Sequence, residues 1–321
     1  MSDSAPASPS FIRRIHIDTD PGLDDLLALA LALASPEIRL EGITTVAGNA
    51  SLDAVTENAL RFLALVDLEI PLGRGAAGPL SLGRVGAESV HGPDGRRAIA
   101  MPDPMRGTED VATAREVLRH SVLDRRVDGL VALGPLTNVA ALLREEPDLL
   151  SEVVITWMGG TLGTGNVTPL AEFNAYADPE AAAVVLGSGH PVRVIGLDVT
   201  TQVQVRRGDI SESEFGSGPV GRFLQETLWA LMDAGIPRYG EPRATLHDPC
   251  AVTAALFPDW FRYDCSDLDI RVEEGSKRGR LIRRDARPSS GVQYAVEVRA
   301  QDVRQLFLNR LKALSDPAGH A

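Results

Sequence analysis

Cysteine is almost missing from this chain: Cys250 and Cys265 are the only two, and no CxxC spacing joins them. That excludes a disulfide scaffold and a cysteine-built zinc site, and it fits a reducing cytoplasm. Positive charge is scarce too. The 32 Lys and Arg against 44 Asp and Glu leave a formal net charge of -12, the reverse of what a phosphate backbone attracts, so no nucleic-acid partner is expected. Long apolar runs are lacking: Leu26 to Ala34, bounded by Asp25 and Ser35-Pro36, falls well short of the roughly 20 residues that cross a bilayer. A soluble protein with no membrane partner is the expectation. The opening MSDSAPASPS carries neither a basic n-region nor an apolar h-region, which predicts a flexible N-terminal tail over 1–10 rather than a signal peptide. At 321 residues, without an internal repeat or a linker, the chain can bury a substantial core as one domain.

What the chain concentrates is carboxylate. Asp18, Asp20, Asp24 and Asp25 crowd into one short stretch, after a strand-like segment from Phe11 to Ile17 and before the helix-like run Leu26 to Ala34. Pro21-Gly22 supplies a turn between them. Ligand sites in open α/β sheets form beyond the carboxyl ends of strands, where these acids fall. Helix capping accounts for Asp24 and Asp25, which belong to the first helical turn. It leaves Asp18 and Asp20 on the strand side, and four like charges at one corner repel one another. A divalent cation would remove that cost, and oxygen-only ligands imply Ca²⁺ or Mg²⁺ rather than zinc. An EF-hand begun at Asp18 fails, because Leu23 and Leu29 stand where that loop needs Gly and Glu. Asp18-Thr19-Asp20 also resembles the opening of haloacid-dehalogenase-type phosphatases, but Gly22 replaces the Thr or Val of that pattern and no Asp-Asp pair follows Lys277.

The rest of the chain keeps a βαβα rhythm. A strand over Leu40 to Val46 ends in Ala47-Gly48-Asn49, and a helix capped by Ser51 or Asp53 runs to Leu65. Residues 73–107 are rich in Gly and Pro and carry His91, a loop histidine that either meets a ligand or is simply solvated. A strand at Leu130 to Leu133 precedes GPLTN, with Thr137 as the expected N-cap; another at Val153 to Met158 runs into a glycine-rich segment through Asn166 that lacks GxGxxG spacing. Glu172 and Asn174 fall in a loop, before Asp178 and Pro179 open a helix through Leu186. After a strand over Val192 to Leu197 and a helix over Val220 to Met232, His247-Asp248-Pro249 introduces a helix at Ala251 to Leu256. Strands near 267–272, 280–285 and 292–298 and a helix from Gln301 to Leu314 close the chain. Lys277, Arg278, Arg280, Arg283, Arg284 and Arg287 read as the solvated edge of an exposed hairpin.

DTDPGLDD, TTVAGN, ALGPLTN, WMGG, GNVTPLAEFN, YADPEAA and LHDPCAV, in this order over residues 15 to about 256, resemble the nucleoside hydrolases, the inosine-uridine-preferring ribohydrolases. The resemblance implies an open, mostly parallel, Rossmann-like α/β sheet flanked by helices, with additional C-terminal strands. It makes 11–315 a single nucleoside hydrolase domain, with a C-terminal tail over 316–321. It implies one bound Ca²⁺ and hydrolysis of the N-glycosidic bond of a ribonucleoside, in a homodimer or homotetramer active in purine or pyrimidine salvage. Carried over by position, Asp20, Asp25, Asp248 and the carbonyl of Leu133 are the metal ligands, and Asp20 is also the general base. Asp24, Asn49, Asn166, Glu172 and Asn174 hold the sugar above Met158, Phe173 and His247 face the base, and His91 is a further substrate contact. His247 is the candidate proton donor to the leaving base, and Asp18 is an acid behind the ligands. Thr19 stands where some members carry Cys, and the segment 230–246, with Tyr239, does not fix the base. A hydrolase of a related N-riboside, such as nicotinamide riboside or a modified nucleoside, and a non-catalytic binder are the alternatives.

Overall fold

The computed structural model describes residues 12–81, 86–211, 214–265, 267–284 and 291–315. Among them nine strands share one sheet: β1 (Arg13–Thr19), β2 (Ile38–Thr45), β3 (Leu72–Arg74), β4 (Ala112–Thr113), β5 (Gly129–Ala132), β6 (Val154–Met158), β7 (Val192–Ile195), β8 (Phe261–Cys265) and β9 (Val292–Val298). Their order across the sheet is β8-β9-β7-β6-β5-β1-β2-β3-β4. Every neighbouring pair is parallel except the edge pair β8 and β9. This is the open, mostly parallel α/β sheet with extra C-terminal strands that the family resemblance implies.

The order reverses at β1, which pairs with β2 on one side and β5 on the other. Connections from the two halves leave in opposite directions there, so a crevice opens beyond the carboxyl end of β1. The acid-rich turn sits at that crevice. It enters the helix Leu23–Leu33, whose residues from Leu23 to Ala32 are all buried. The alternating Leu and Ala make it apolar all round, and such a helix is stable only when covered on every side. The sheet and the helices Pro219–Ala234, His247–Leu256 and Ala300–Ser315 cover it. Asp24 and Asp25 are therefore fixed by a core segment and not by a surface loop.

Several local expectations give way to tertiary contacts. Thr137 does not cap its helix: Leu136 holds that place, and the Thr137 hydroxyl donates to Asp178 Oδ2 at 2.7 Å, so a partner from the next helix outcompetes the local one. Glu172 and Asn174 are not in a loop, because Glu172 caps a short helix Phe173–Ala177. The helix expected from Ala251 begins at His247, with Pro249 tolerated in a first turn where its missing N–H is not needed. The strands β3 and β8 are absent from the sequence reading, being short and at or next to an edge. The basic segment is a hairpin, Asp267–Ile270 against Leu281–Arg284. Arg278 within it is buried, not solvated, and its guanidinium grips Glu180 with two bonds of 2.8 and 2.7 Å. Arg287 and the expected tails at 1–10 and 316–321 lie outside the described residues. No helix among the described residues is long and apolar enough to cross a membrane.

Candidate active site

Asp25, in the first helical turn, is the hub of the corner. Its Oδ1 accepts from the Thr19 hydroxyl at 2.5 Å and the Asp20 amide at 3.2 Å, and its Oδ2 from the Gly22 amide at 3.0 Å and Asn49 Nδ2 at 2.9 Å. Asp20 is held at one oxygen only. Its Oδ2 accepts from the Asn49 amide at 2.7 Å, whereas Oδ1 is buried with no hydrogen-bond partner among the described residues. Gly48 and Gly134 allow the approach: a Cβ on either would strike the Asp20 carboxylate, at 2.5 Å from Oδ1 in the case of Gly134.

Asp24, Asp25 and Asp248 each place a carboxylate oxygen within 4.8 Å of the others, all three buried. Asp20 stands beside this trio rather than in it. Burial and the charge of its neighbours hold Asp20 well above the usual carboxylate range. The same two causes push Asp24 up to about 8 and raise Asp248 well above its ordinary value. Several acids that each resist ionising, an orphaned buried oxygen and an all-oxygen donor set fit a hard divalent cation. Leu133 lines the same cavity, and its carbonyl accepts from Asn174 Nδ2 at 2.6 Å, which leaves a second lone pair for a cation.

Behind the corner a directed chain of hydrogen bonds crosses the sheet. The Thr44 hydroxyl donates to Asp18 Oδ1 at 2.5 Å, and Asn138 Nδ2 donates to the same oxygen at 2.8 Å. Thr44 is then the acceptor for His16 Nε2 at 3.0 Å, and Ser121 is left to donate to His16 Nδ1 at 2.9 Å. Burial pushes Asp18 up to about 6 against these bonds and takes His16 down to about 3. Sequence reading misses His16, Thr44, Ser121 and Asn138, because their partners lie on different elements.

Above the acids is a cavity of about 500 Å³, within the range of small-molecule sites. The expected residues Asp24, Asn49, His91, Leu133, Met158, Asn166, Glu172, Phe173, Asn174, His247 and Asp248 all line it. Asp20 and Asp25, both buried, are not among the residues that line it. Glu172 accepts amides of Gly160, Asn174 and Ala175 at 2.7 to 3.0 Å, and burial still raises its proton affinity. Asn174 Nδ2 also donates to the Met158 carbonyl at 2.9 Å, and Asn166 Oδ1 takes the Phe173 amide at 2.9 Å.

Two histidines face the cavity. His91 is buried, not solvated, and its Nδ1 accepts from the Leu23 amide at 3.0 Å, so the neutral ring carries its hydrogen on Nε2. That Nε2 lies 3.9 Å from Asp24 Oδ1. His247 Nδ1 is 2.8 Å from the Thr200 hydroxyl. Burial takes both rings down to about 4, with Arg238 adding to the effect at His247. Arg238, Tyr239, Arg243 and Thr245 also line the cavity, and Tyr239 and Thr245 share a 2.8 Å hydrogen bond. The Pro-, Gly- and Arg-rich stretch that holds them carries no periodicity from which their inward placement could be read.

The sequence matches the family described as inosine-uridine preferring nucleoside hydrolase over residues 15–306. It is similar to the pyrimidine-specific ribonucleoside hydrolase RihA of Shewanella sp. (strain MR-7), 41% identical over 271 residues, which are 83% of this chain and 84% of that one. RihA of Salmonella schwarzengrund (strain CVM19633) is 41% identical over 251 residues, 77% of this chain and 80% of its own. Among solved structures, a purine-preferring ribonucleoside hydrolase from Gardnerella vaginalis superposes with a TM-score of 0.87 at 30% identity, over 94% of this chain and 99% of that one. The plant nucleoside hydrolase PpNRh1 gives 0.83 at 30% identity, over 94% and 99%.

Proposed function

Since the chain belongs to the inosine-uridine preferring nucleoside hydrolase family and is a ribonucleoside hydrolase, we propose that it cleaves pyrimidine ribonucleosides, uridine and cytidine, in a calcium-dependent reaction. The observation that carries the chemistry is the free Oδ1 of Asp20, buried beside the trio of carboxylates at the floor of the cavity. The pyrimidine preference rests on the relatives at about 41% identity, which are named pyrimidine-specific.

Asp20, Asp25, Asp248 and the Leu133 carbonyl would hold the ion. A cation held there would supply positive charge that makes water easier to deprotonate and favours binding of the ribose hydroxyls. Asp24 and Asn49 orient those hydroxyls, and Asn166, Glu172 and Asn174 fix the rest of the sugar over Met158, so that water and C1′ meet as neighbours. Asp20 Oδ1 takes the proton of the attacking water, a role its raised proton affinity suits. As the C1′–N bond breaks, its electrons pass to the base and positive charge spreads over C1′ and the ring oxygen. The surrounding carboxylates stabilise that charge more than they do the neutral ground state. His247 and His91 each present a ring N–H to the departing base, while Phe173 packs against it. Both rings are neutral near pH 7, with values of about 4, so their help is a hydrogen bond to the negative charge on uracil rather than transfer from a resident imidazolium. The same reading makes residues 11–315 one catalytic domain, serving salvage of ribose and bases.

A purine preference is the second reading, favoured by the 0.87 superposition on a purine-preferring enzyme. Ribose release from uridine, cytidine, inosine, adenosine and nicotinamide riboside, with calcium, after chelation and after calcium is restored, separates these. Uridine and cytidine are expected to exceed inosine in kcat/KM by about 10²-fold, the discrimination a shaped pocket can give. Chelation should stop all turnover. Equal rates on inosine overturn the pyrimidine assignment, and full activity in chelator overturns the metal.

A further inference from the structure

Help from His247 to the leaving base requires that Nε2 carry the hydrogen and face the cavity. We infer that Thr200 is the positioning residue that fixes both the tautomer and the orientation of the His247 ring, a role that rests on the reading of His247 as hydrogen-bond donor to the base. Thr200 closes the one-turn helix Leu197–Thr200 that follows β7, and it is fully buried at 0% exposure. Its hydroxyl lies 2.8 Å from His247 Nδ1, across 47 residues of sequence.

The direction of that bond follows from what surrounds Thr200. Among the described residues its hydroxyl has no other hydrogen-bond partner. A buried hydroxyl hydrogen without an acceptor is costly, so the hydroxyl donates and Nδ1 is the bare nitrogen. The ring hydrogen is then on Nε2, on the edge away from Thr200. If the ring donated from Nδ1 instead, the Thr200 hydrogen would be stranded and Nε2 would show the base a lone pair. His91 reaches the same state by another route, since the Leu23 backbone amide can only donate to its Nδ1. The two histidines that line the cavity thus carry their hydrogen on the same ring nitrogen.

The short helix that carries Thr200 is itself anchored. Asp198, two residues earlier, takes the Thr161 hydroxyl at 2.9 Å, the Leu162 amide at 3.0 Å and the Tyr294 hydroxyl on one oxygen. Gly196, at its start, leaves no space for a side chain, because a Cβ there would lie 2.5 Å from the Tyr294 hydroxyl and 2.8 Å from the Gly160 carbonyl. The Thr200 hydroxyl is therefore a fixed post against which the His247 ring is set, and the helix that holds it also braces the glycine loop leading to Asn166.

The test uses the full-length, calcium-loaded protein with ¹⁵N-labelled histidine, and His247→Gln to assign the signal. The expected spectrum of the parent protein shows His247 Nδ1 unprotonated and Nε2 protonated, Thr200→Ser keeps that pattern, and Thr200→Val loses it. A parent protein with its hydrogen on Nδ1 overturns the inference, even if Thr200→Val does not fold. In kinetics, Thr200→Val should lower kcat on uridine by about 10- to 100-fold, the cost of a misplaced catalytic group. Thr200→Ser should stay within about 3-fold of the parent, and p-nitrophenyl riboside, whose phenolate leaves unaided, should change by less than about 3-fold in either variant. Equal losses on uridine and p-nitrophenyl riboside would show that Thr200 only supports the fold, and would overturn the inference. A parent protein that cleaved no nucleoside would instead refute the proposed function, with the tautomer still decided by the spectrum.

Discussion

His16 gives the fold a pH dependence whose size can be worked out. The ring is fully buried in β1, with Nδ1 taken by Ser121 and Nε2 by Thr44, and burial lowers its pKa from 6.5 to about 3. The folded chain cannot accept a proton there above about pH 3, whereas the unfolded chain accepts one below about pH 6.5. The unfolded state therefore binds more protons in this window, and stability falls as pH falls through it. Each unit is worth about 1.4 kcal/mol, so between pH 7.5 and 5 the loss is about 2 kcal/mol. The buried Asp18, Asp20, Asp24 and Asp248 have raised values and act with the opposite sign, so the contribution is read as a difference between proteins. His16→Gln keeps hydrogen-bonding capacity without a titrating group. Urea unfolding of parent and variant, followed from pH 7.5 to 5, should show the parent losing about 2 kcal/mol more than the variant. Parallel stability curves would refute the reasoning, because they would mean that His16 meets protons as readily in the fold as outside it.

Deoxyuridine should be a poor substrate, since a site built around the 2′-hydroxyl leaves Asp24 and its neighbours unpaired without it; a kcat/KM about 10⁴-fold below that of uridine is expected, and comparable values would contradict the ribose assignment. Arg278→Ala should destabilise the protein by about 1 to 2 kcal/mol, because it removes a two-bond ion pair, buried at Arg278 and partly exposed at Glu180, that ties the hairpin to the helix Pro179–Leu186. An unchanged urea midpoint would show that this pair is only a surface contact.

The parts of the site that the sequence reveals are those whose chemistry is compressed into adjacent residues. Asp18 to Asp25 carry strand, turn, helix start and acids in one stretch, so both the crevice and its charge are legible there. Asp178 and Pro179 are legible for the same reason, as cap and first helical residue. Thr137 misleads because its hydroxyl serves a carboxylate 41 residues away, a contact that local capping rules do not contain. Arg278 misleads because five basic neighbours suggest a solvated edge, while a single acid across the fold buries this one. His247 is legible but its partner Thr200 is silent until packing brings them together, as are His16 and Ser121. The Arg238 to Thr245 wall is hidden for a different reason: it is a short helix and a three-residue strand, too brief for any periodicity to show.

The central claim is that Asp20, with one buried oxygen left free beside a bound cation, is the base that activates water. Asp20→Asn preserves the shape and the bond to the Asn49 amide while removing the charge, so the kcat of this variant on uridine at saturating calcium tests the claim most directly. A loss of about 10² to 10⁴-fold or more is expected in a variant that still folds, because both the base and a ligand charge at the cation are removed. A folded Asp20→Asn protein that released ribose at the parent rate would contradict it.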